Sequence, residues 1–142
     1  MSAYADTSFL ASLYVQDGNS ALAAAHMKRA KLPLLLTPLG EVELTNAVSL
    51  RLFRKELSAS KVKAALTLIR KDIEECVLTA NMLPASAFER AKQIARRQTP
   101  RLGTRTLDVL HVASALVLQA ETFYTFDARQ RILALAEGLL VP

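Results

Sequence analysis

The chain has 142 residues, of which 51% are apolar and 22% charged, which fits one globular domain over residues 1–142 and excludes a disordered chain. No stretch is long and apolar enough to span a bilayer, which excludes a helical membrane protein. The net charge of +5 is concentrated in residues 51–105, where thirteen Lys or Arg face five Asp or Glu, so this segment either contacts a polyanion or forms ordinary solvated helix faces.

Short apolar runs alternate with longer helical patterns in the first half of the chain. We predict strand 2–5, helix 9–15 capped by Thr7 or Ser8, helix 21–30 after Ser20, strand 32–37, and helix 38–57. Thr37 followed by Pro38 suits a cap and the first helical position.

The same alternation continues in the second half. We predict a helix from Ser58 or Ser60 to residue 75, strand 76–79, helix 84–97 ended by Thr99-Pro100, and a polar loop at 101–105. A very apolar helix 106–119 follows, then strand 122–126, a helix from Asp127 to Gly138, and a last strand 139–141. Strands alternating with helices predict parallel strands joined by crossovers, hence a three-layer α/β/α fold.

Two aspartates directly follow predicted strands. Asp6 follows strand 2–5 and Asp127 follows strand 122–126. Ligands of open parallel sheets bind at the carboxyl ends of the strands, which favours a site at these two residues. Helix capping explains each aspartate equally well when it is considered alone.

A third aspartate lies in an unusual environment. Asp108 begins a helix that is apolar nearly all round, so we expect it to be buried and to have a partner or a bound metal. A favourable charge in the first helical turn is the alternative. His111 lies on the same stripe, where a hydrogen-bonded core histidine is more common than a ligand.

The helix after Pro38 offers two glutamates. At about 100° per residue, Glu43 lies within about 60° of the centre of the apolar face and Glu41 lies nearly opposite it. Glu43 is therefore predicted to point toward the protein and Glu41 toward solvent.

Four carboxylates gathered in one place need protons, basic partners or hard cations. The single cysteine, Cys76, and the lack of a histidine pair argue against zinc and favour Mg²⁺ or Mn²⁺. The corresponding chemistry is phosphodiester hydrolysis with one or two metal ions. A lone thiol without a recognisable signal peptide favours a cytoplasmic protein.

The four acids lie in motifs that resemble those of the PIN-domain family. The segments 4–8 (YADTS), 42–47 (VELTNA), 106–115 (TLDVLHVASA) and 122–128 (TFYTFDA), the last followed by Gly138-Leu139, are similar to its four motifs in the same order. The resemblance implies a parallel sheet flanked by helices, with Asp6, Glu43, Asp108 and Asp127 as catalytic metal-binding acids. Ser8 and Thr125 match hydroxyl positions that support such a site.

The resemblance further implies Mg²⁺ or Mn²⁺, an RNA substrate and a homodimer. A chain of this size resembles VapC-like toxin ribonucleases, which a cognate antitoxin protein blocks. Helix 21–30 and residues 53–57 are candidates for the antitoxin groove, and ordinary core packing is the alternative for each of these residues. The alternatives are a PIN-fold nuclease of RNA processing without an antitoxin, and a catalytically silent binding module.

Overall fold

The computed structural model describes residues 2–142 and contains a parallel four-stranded sheet in the order β3-β2-β1-β4. The strands are β1 (Ser2–Ala5), β2 (Leu34–Leu36), β3 (Leu78–Ala80) and β4 (Ala120–Tyr124). The helices within this range are α1 (Thr7–Tyr14), α2 (Ser20–Met27), α3 (Pro38–Phe53), α4 (Ala59–Glu74), α5 (Ala85–Leu102), α6 (Thr106–Val117) and α7 (Ala128–Ala136).

The sheet separates two apolar cores, which confirms the predicted three-layer α/β/α fold. Successive side chains of a strand point to opposite faces. Ala3 and Ala5 of β1 therefore pack in the core formed with α1 to α4, and Tyr4 packs in the core formed with α5 to α7. No helix within residues 2–142 has the length and hydropathy needed to cross a membrane.

The predicted end of α5 at Thr99-Pro100 is wrong. The helix continues through Pro100 to Leu102 and ends at Gly103, which has a φ of 63° and whose N–H donates to the Thr99 carbonyl over 2.8 Å. Pro100 removes one helical hydrogen bond, yet the helix continues for two further residues. A left-handed glycine is the stronger stop signal because other residues rarely adopt that conformation.

Several other boundaries also differ from the predicted ones. β4 ends at Tyr124, so two residues separate it from Asp127, and residues 139–141 contribute only an isolated bridge between Leu140 and Thr122. α2 and α3 end earlier than predicted, at Met27 and Phe53. The predicted caps Thr37 and Ser58 are confirmed, each accepting a backbone N–H of its helix.

Candidate active site

The fold brings the four predicted acids to one pocket. Asp6 follows β1 and Asp127 follows β4, and these neighbouring parallel strands end at the same edge of the sheet. Asp108 lies in the first turn of α6, and Glu43 lies on α3. The pocket has a volume of about 390 Å³ and is lined by Asp6, Thr7, Ser8, Glu43, Arg105, Thr106, Leu107, Asp108, His111, Asp127 and Gln130.

Asp6 is buried, with 4% of its surface exposed, and both of its carboxylate oxygens accept hydrogen bonds. Oδ1 accepts from the Ser8 hydroxyl over 2.7 Å and from the Phe9 N–H over 3.1 Å, and Oδ2 accepts from the Thr125 hydroxyl over 2.5 Å. Asp6 therefore caps α1, where Thr7 or Ser8 was predicted as the cap. Burial raises the pKa of this carboxyl, and the bonds from Thr125 and Ser8 partly oppose that rise.

The hydroxyls of Ser8 and Thr125 join the ends of β1 and β4. The two oxygens lie 3.2 Å apart, and both donate to Asp6. Ser8 Oγ also accepts the Phe126 N–H over 2.9 Å, and Thr125 Oγ1 accepts the Asp127 N–H over 3.0 Å. Each hydroxyl thus fixes an acid and a stretch of backbone at the same time, which combines the supporting and the turn-forming roles considered from sequence.

A basic side chain bridges Asp108 and Asp127. The Arg105 Nε lies 3.1 Å from Oδ2 of Asp108, and its Nη2 lies 3.4 Å from Oδ1 of Asp108 and 3.3 Å from Oδ2 of Asp127. The Arg105 backbone N–H also donates to Asp108, over 3.2 Å. Hydrogen bonding to Asp108 raises the pKa of the guanidinium. Arg105 is thus the partner that the buried position of Asp108 requires.

The second oxygen of Asp127 caps the following helix. Oδ1 accepts the N–H groups of Arg129 and Gln130 over 2.9 Å and 3.0 Å. The capping role considered from sequence and the placement in the acidic pocket therefore occur together, one for each carboxylate oxygen.

Glu43, and not Glu41, faces the pocket. Its Oε1 lies 2.5 Å from Nε2 of His111, whose Nδ1 lies 2.8 Å from the Tyr4 hydroxyl. Glu41 lies in a separate surface depression with Val42. The helical periodicity of α3 predicted the pocket position of Glu43 correctly, whereas Glu41 is half-buried and does not point fully to solvent as predicted.

Sequence reasoning missed four polar residues of the pocket: Thr7, Arg105, Thr106 and Gln130. Gln130 is 1% exposed, and its Nε2 donates to the Asp108 carbonyl over 3.2 Å. Within residues 2–142, Gln130 Oε1 and Thr7 Oγ1 are buried without a hydrogen-bond partner. Arg105 precedes Asp108 by three residues, a capping-box spacing that offered a signal. For Gln130 we find no such signal.

The oxygen atoms that line this pocket are of the chemical types that bind a hard divalent cation. Carboxylate and hydroxyl oxygens are the ligands that Mg²⁺ and Mn²⁺ prefer, and two buried oxygens remain unpaired. Among the described residues, no three Asp, Glu, His or Cys side chains converge on one point closely enough to ligate an ion. A cation would therefore require side-chain movement, chiefly of Arg105, which holds two of the acids.

Comparison with known proteins gives a family and two similar structures. The sequence matches the PIN domain over residues 3–135. No curated protein matches the chain significantly. VapC20 from Mycobacterium tuberculosis, a sarcin–ricin-loop-cleaving toxin, aligns with a TM-score of 0.72 and 18% identity over 98% of this chain and 97% of that one. FitAcB from Neisseria gonorrhoeae aligns with a TM-score of 0.67 and 17% identity over 98% and 95%.

At these identities the two structures establish a shared fold and nothing finer. The sequence match carries the classification, because it spans residues 3–135 and therefore covers all four of the acidic motifs. The chain belongs to the PIN-domain family.

Proposed function

We propose that this protein is a metal-dependent endoribonuclease in which Asp6, Glu43, Asp108 and Asp127 hold Mg²⁺ or Mn²⁺. One observation carries the proposal: four acids from separate elements of the chain line a single pocket at the carboxyl edge of the sheet. Like charges gathered in this way repel one another unless a cation balances them. Membership of the PIN-domain family supports the same conclusion.

The metal ion and the acids that hold it contribute differently to the proposed reaction. When bound, the metal ion makes a water more acidic and balances the negative charge that develops on the phosphate. Asp6 is the most strongly positioned acid, because Ser8 and Thr125 fix its two oxygens. Asp108 and Asp127 are available once the Arg105 guanidinium releases them.

RNA is the proposed substrate because segment 51–105 carries thirteen Lys or Arg against five Asp or Glu, and Arg105 at its end lines the acidic pocket. We extend the proposal to a toxin role, supported by the likeness in fold to the VapC20 toxin. A cognate antitoxin protein is then the expected partner. Leu22 on α2 and Phe53 at the end of α3 are 52% and 81% exposed, which makes these apolar side chains candidates for the antitoxin contact. A homodimer and a cytoplasmic location belong to the same proposal.

The test is cleavage of mixed cellular RNA by the purified protein with Mg²⁺ or Mn²⁺, and with EDTA. We expect cleavage that requires the metal and falls by at least about a hundredfold in D6N and D108N. Glu43→Gln and Glu41→Gln form a matched pair on one helix, of which only the first lines the pocket. We expect E43Q to lose activity and E41Q to retain it.

Three results would overturn parts of this proposal. Equal cleavage with EDTA and with metal contradicts a metal-dependent nuclease. If expression in cells is toxic and the toxicity survives in both D6N and D108N, the acids are not the source of the activity and a binding module is favoured. Metal-dependent cleavage in a protein that is harmless to growing cells favours the RNA-processing alternative.

A further inference from the structure

His111 connects a fully buried tyrosine to the glutamate of the acidic pocket. Its Nδ1 lies 2.8 Å from the Tyr4 hydroxyl, and its Nε2 lies 2.5 Å from Oε1 of Glu43. The His111 side chain is 7% exposed and Tyr4 is 0% exposed. The tyrosine ring packs edge-on against the imidazole, with the centroids 5.8 Å apart. The imidazole is therefore held by packing and by a hydrogen bond at each nitrogen.

The bonding partners determine where the protons lie. A carboxylate can only accept, so Nε2 carries the proton shared with Glu43. The phenolic hydroxyl of Tyr4 carries a proton at neutral pH and can therefore donate to Nδ1. The donors then run in one direction, from the Tyr4 O–H to His111 and from the His111 N–H to Glu43.

We propose that His111 is a positioning residue that holds Glu43 in its metal-binding orientation, an inference that rests on the proposed function. A glutamate side chain has several rotatable bonds, and at 22% exposure Glu43 is not confined by burial alone. The hydrogen bond from Nε2–H to Oε1 restricts the Glu43 side chain to one rotamer. In that rotamer Oε2 is free to bind a metal ion in the pocket. Groups that orient a metal ligand in this way typically change metal affinity by about 10–100-fold.

Three substitutions separate positioning from packing. In His111→Gln the amide nitrogen reaches the place of Nε2 and keeps a donor for Glu43. In His111→Asn the shorter amide reaches only the place of Nδ1 and loses that donor. Tyr4→Phe removes a single buried hydroxyl, keeps the ring, and leaves Nδ1 without its partner.

The measurement is Mn²⁺ binding to the full chain without RNA, detected through the electron paramagnetic resonance signal of free Mn²⁺. The melting temperature is recorded for each variant. We expect H111N to weaken Mn²⁺ binding about 10–100-fold and H111Q to remain within about threefold of the wild type. Y4F should lie between them. In an E43Q background, H111N should cause no further loss, because the residue acts through Glu43.

The outcomes distinguish this inference from the function on which it rests. Wild-type protein that binds no Mn²⁺ overturns the proposed metal site and this inference with it. Wild-type protein that binds Mn²⁺ while H111N binds equally well overturns the role of His111 alone. A lower melting temperature in H111N and H111Q alike, with unchanged affinity, assigns His111 to packing. If H111N does not fold, the inference is tested by Y4F and E43Q. It is overturned if E43Q binds Mn²⁺ more weakly than the wild type while Y4F binds Mn²⁺ as tightly as the wild type.

Discussion

The Thr125 hydroxyl donates to Oδ2 of Asp6 over 2.5 Å and so joins residues that are 119 positions apart in the chain. The contact joins the end of β4 to the end of β1 and is buried. It also favours the ionised form of an acid whose burial favours the neutral form. The fold thus places the Asp6 carboxylate at this edge of the sheet and also supplies a hydrogen-bond donor that stabilises its ionised form.

Replacing Thr125 by Val should weaken metal binding. Without the hydroxyl, the pKa of Asp6 rises further, so a smaller fraction of the protein has the ionised carboxylate that a cation requires. We expect roughly tenfold weaker Mn²⁺ binding near neutral pH, together with a shift of the pH dependence of binding to higher pH. Titration of Mn²⁺ at several pH values measures both effects.

Thr125→Ser is the control for that substitution, because it keeps the donor and removes one methyl group. Its Mn²⁺ affinity should stay close to that of the wild type. Equal losses in T125S and T125V would indicate that the methyl group, and not the hydrogen bond, is what matters at this position.

The raised pKa of Asp6 has a second consequence, for stability. In the folded state this carboxyl binds a proton more tightly than in the unfolded chain, where its pKa is near 3.8. The folded state then holds more protons between that value and the raised one, so the contribution of Asp6 to stability increases as the pH falls through this window. Asp6→Asn removes this titration.

Urea unfolding of wild type and D6N from neutral pH to about pH 4 measures the effect. The free energy of unfolding of the wild type, relative to D6N, should increase toward acid down to the end of this range. E41Q removes a carboxylate outside the pocket and provides the comparison. A wild-type minus D6N difference that decreases toward acid would mean that the pKa of Asp6 is lowered and not raised.

Arg105 and a metal ion compete for the same oxygens. The guanidinium occupies both oxygens of Asp108 and Oδ2 of Asp127, which a cation also needs. Arg105→Gln should therefore tighten Mn²⁺ binding roughly two- to fivefold, because a largely exposed guanidinium no longer has to leave the two acids. The Mn²⁺ affinities of R105Q and the wild type are measured by isothermal titration calorimetry.

Loss of a positive charge by itself also favours cation binding, so two further variants are needed. Arg129→Gln removes a charge near Asp127 whose side chain makes none of these contacts, and it should have a smaller effect. Arg105→Lys keeps the charge but loses the planar fork that bridges the two acids. If R105K binds Mn²⁺ like the wild type while R105Q binds it more tightly, charge and not occupancy is responsible.

The fold and the four acids could be predicted from sequence because local patterns determine them. Alternation of apolar runs with helical periods gave the layers, and the period of α3 separated Glu43 from Glu41. Gln130 could not be placed, because its presence in the pocket depends on how α7 packs around the sheet edge, whereas Arg105 has the capping-box spacing to Asp108 as a sequence signal. The same limit applies to His111, whose pattern indicated a core residue and whose bond to Glu43 joins positions 68 residues apart.

At the end of α5 a proline and a glycine offer competing stop signals, and the helix ends at the glycine. Gly103 has a φ of 63°, a conformation that costs a residue with a side chain about 1–2 kcal/mol. Gly103→Ala should therefore lower the free energy of unfolding by about 1 kcal/mol. In Gly18→Ala, where a Cβ atom also meets nothing within 4 Å and φ is not positive, stability should be unchanged or slightly higher. Equal effects of the two variants in urea unfolding would contradict this explanation of the stop.

The basic segment contains two adjacent arginines with different surroundings. Arg97 donates to Glu137 over 2.5 Å, and the Glu137 side chain is only 4% exposed, so this arginine has a structural partner. Arg96 is exposed. If the segment contacts RNA, Arg96→Gln should weaken binding of a labelled single-stranded RNA in EDTA and reduce the slope of log K against log salt by about 0.7.

Arg97→Gln should mainly lower the melting temperature, because it leaves a nearly buried carboxylate with one partner fewer. Replacing both residues together would mix these effects, so the single variants are the informative ones. An unchanged salt slope in R96Q would exclude a phosphate contact at this position and direct the search to the other cations of α4 and α5.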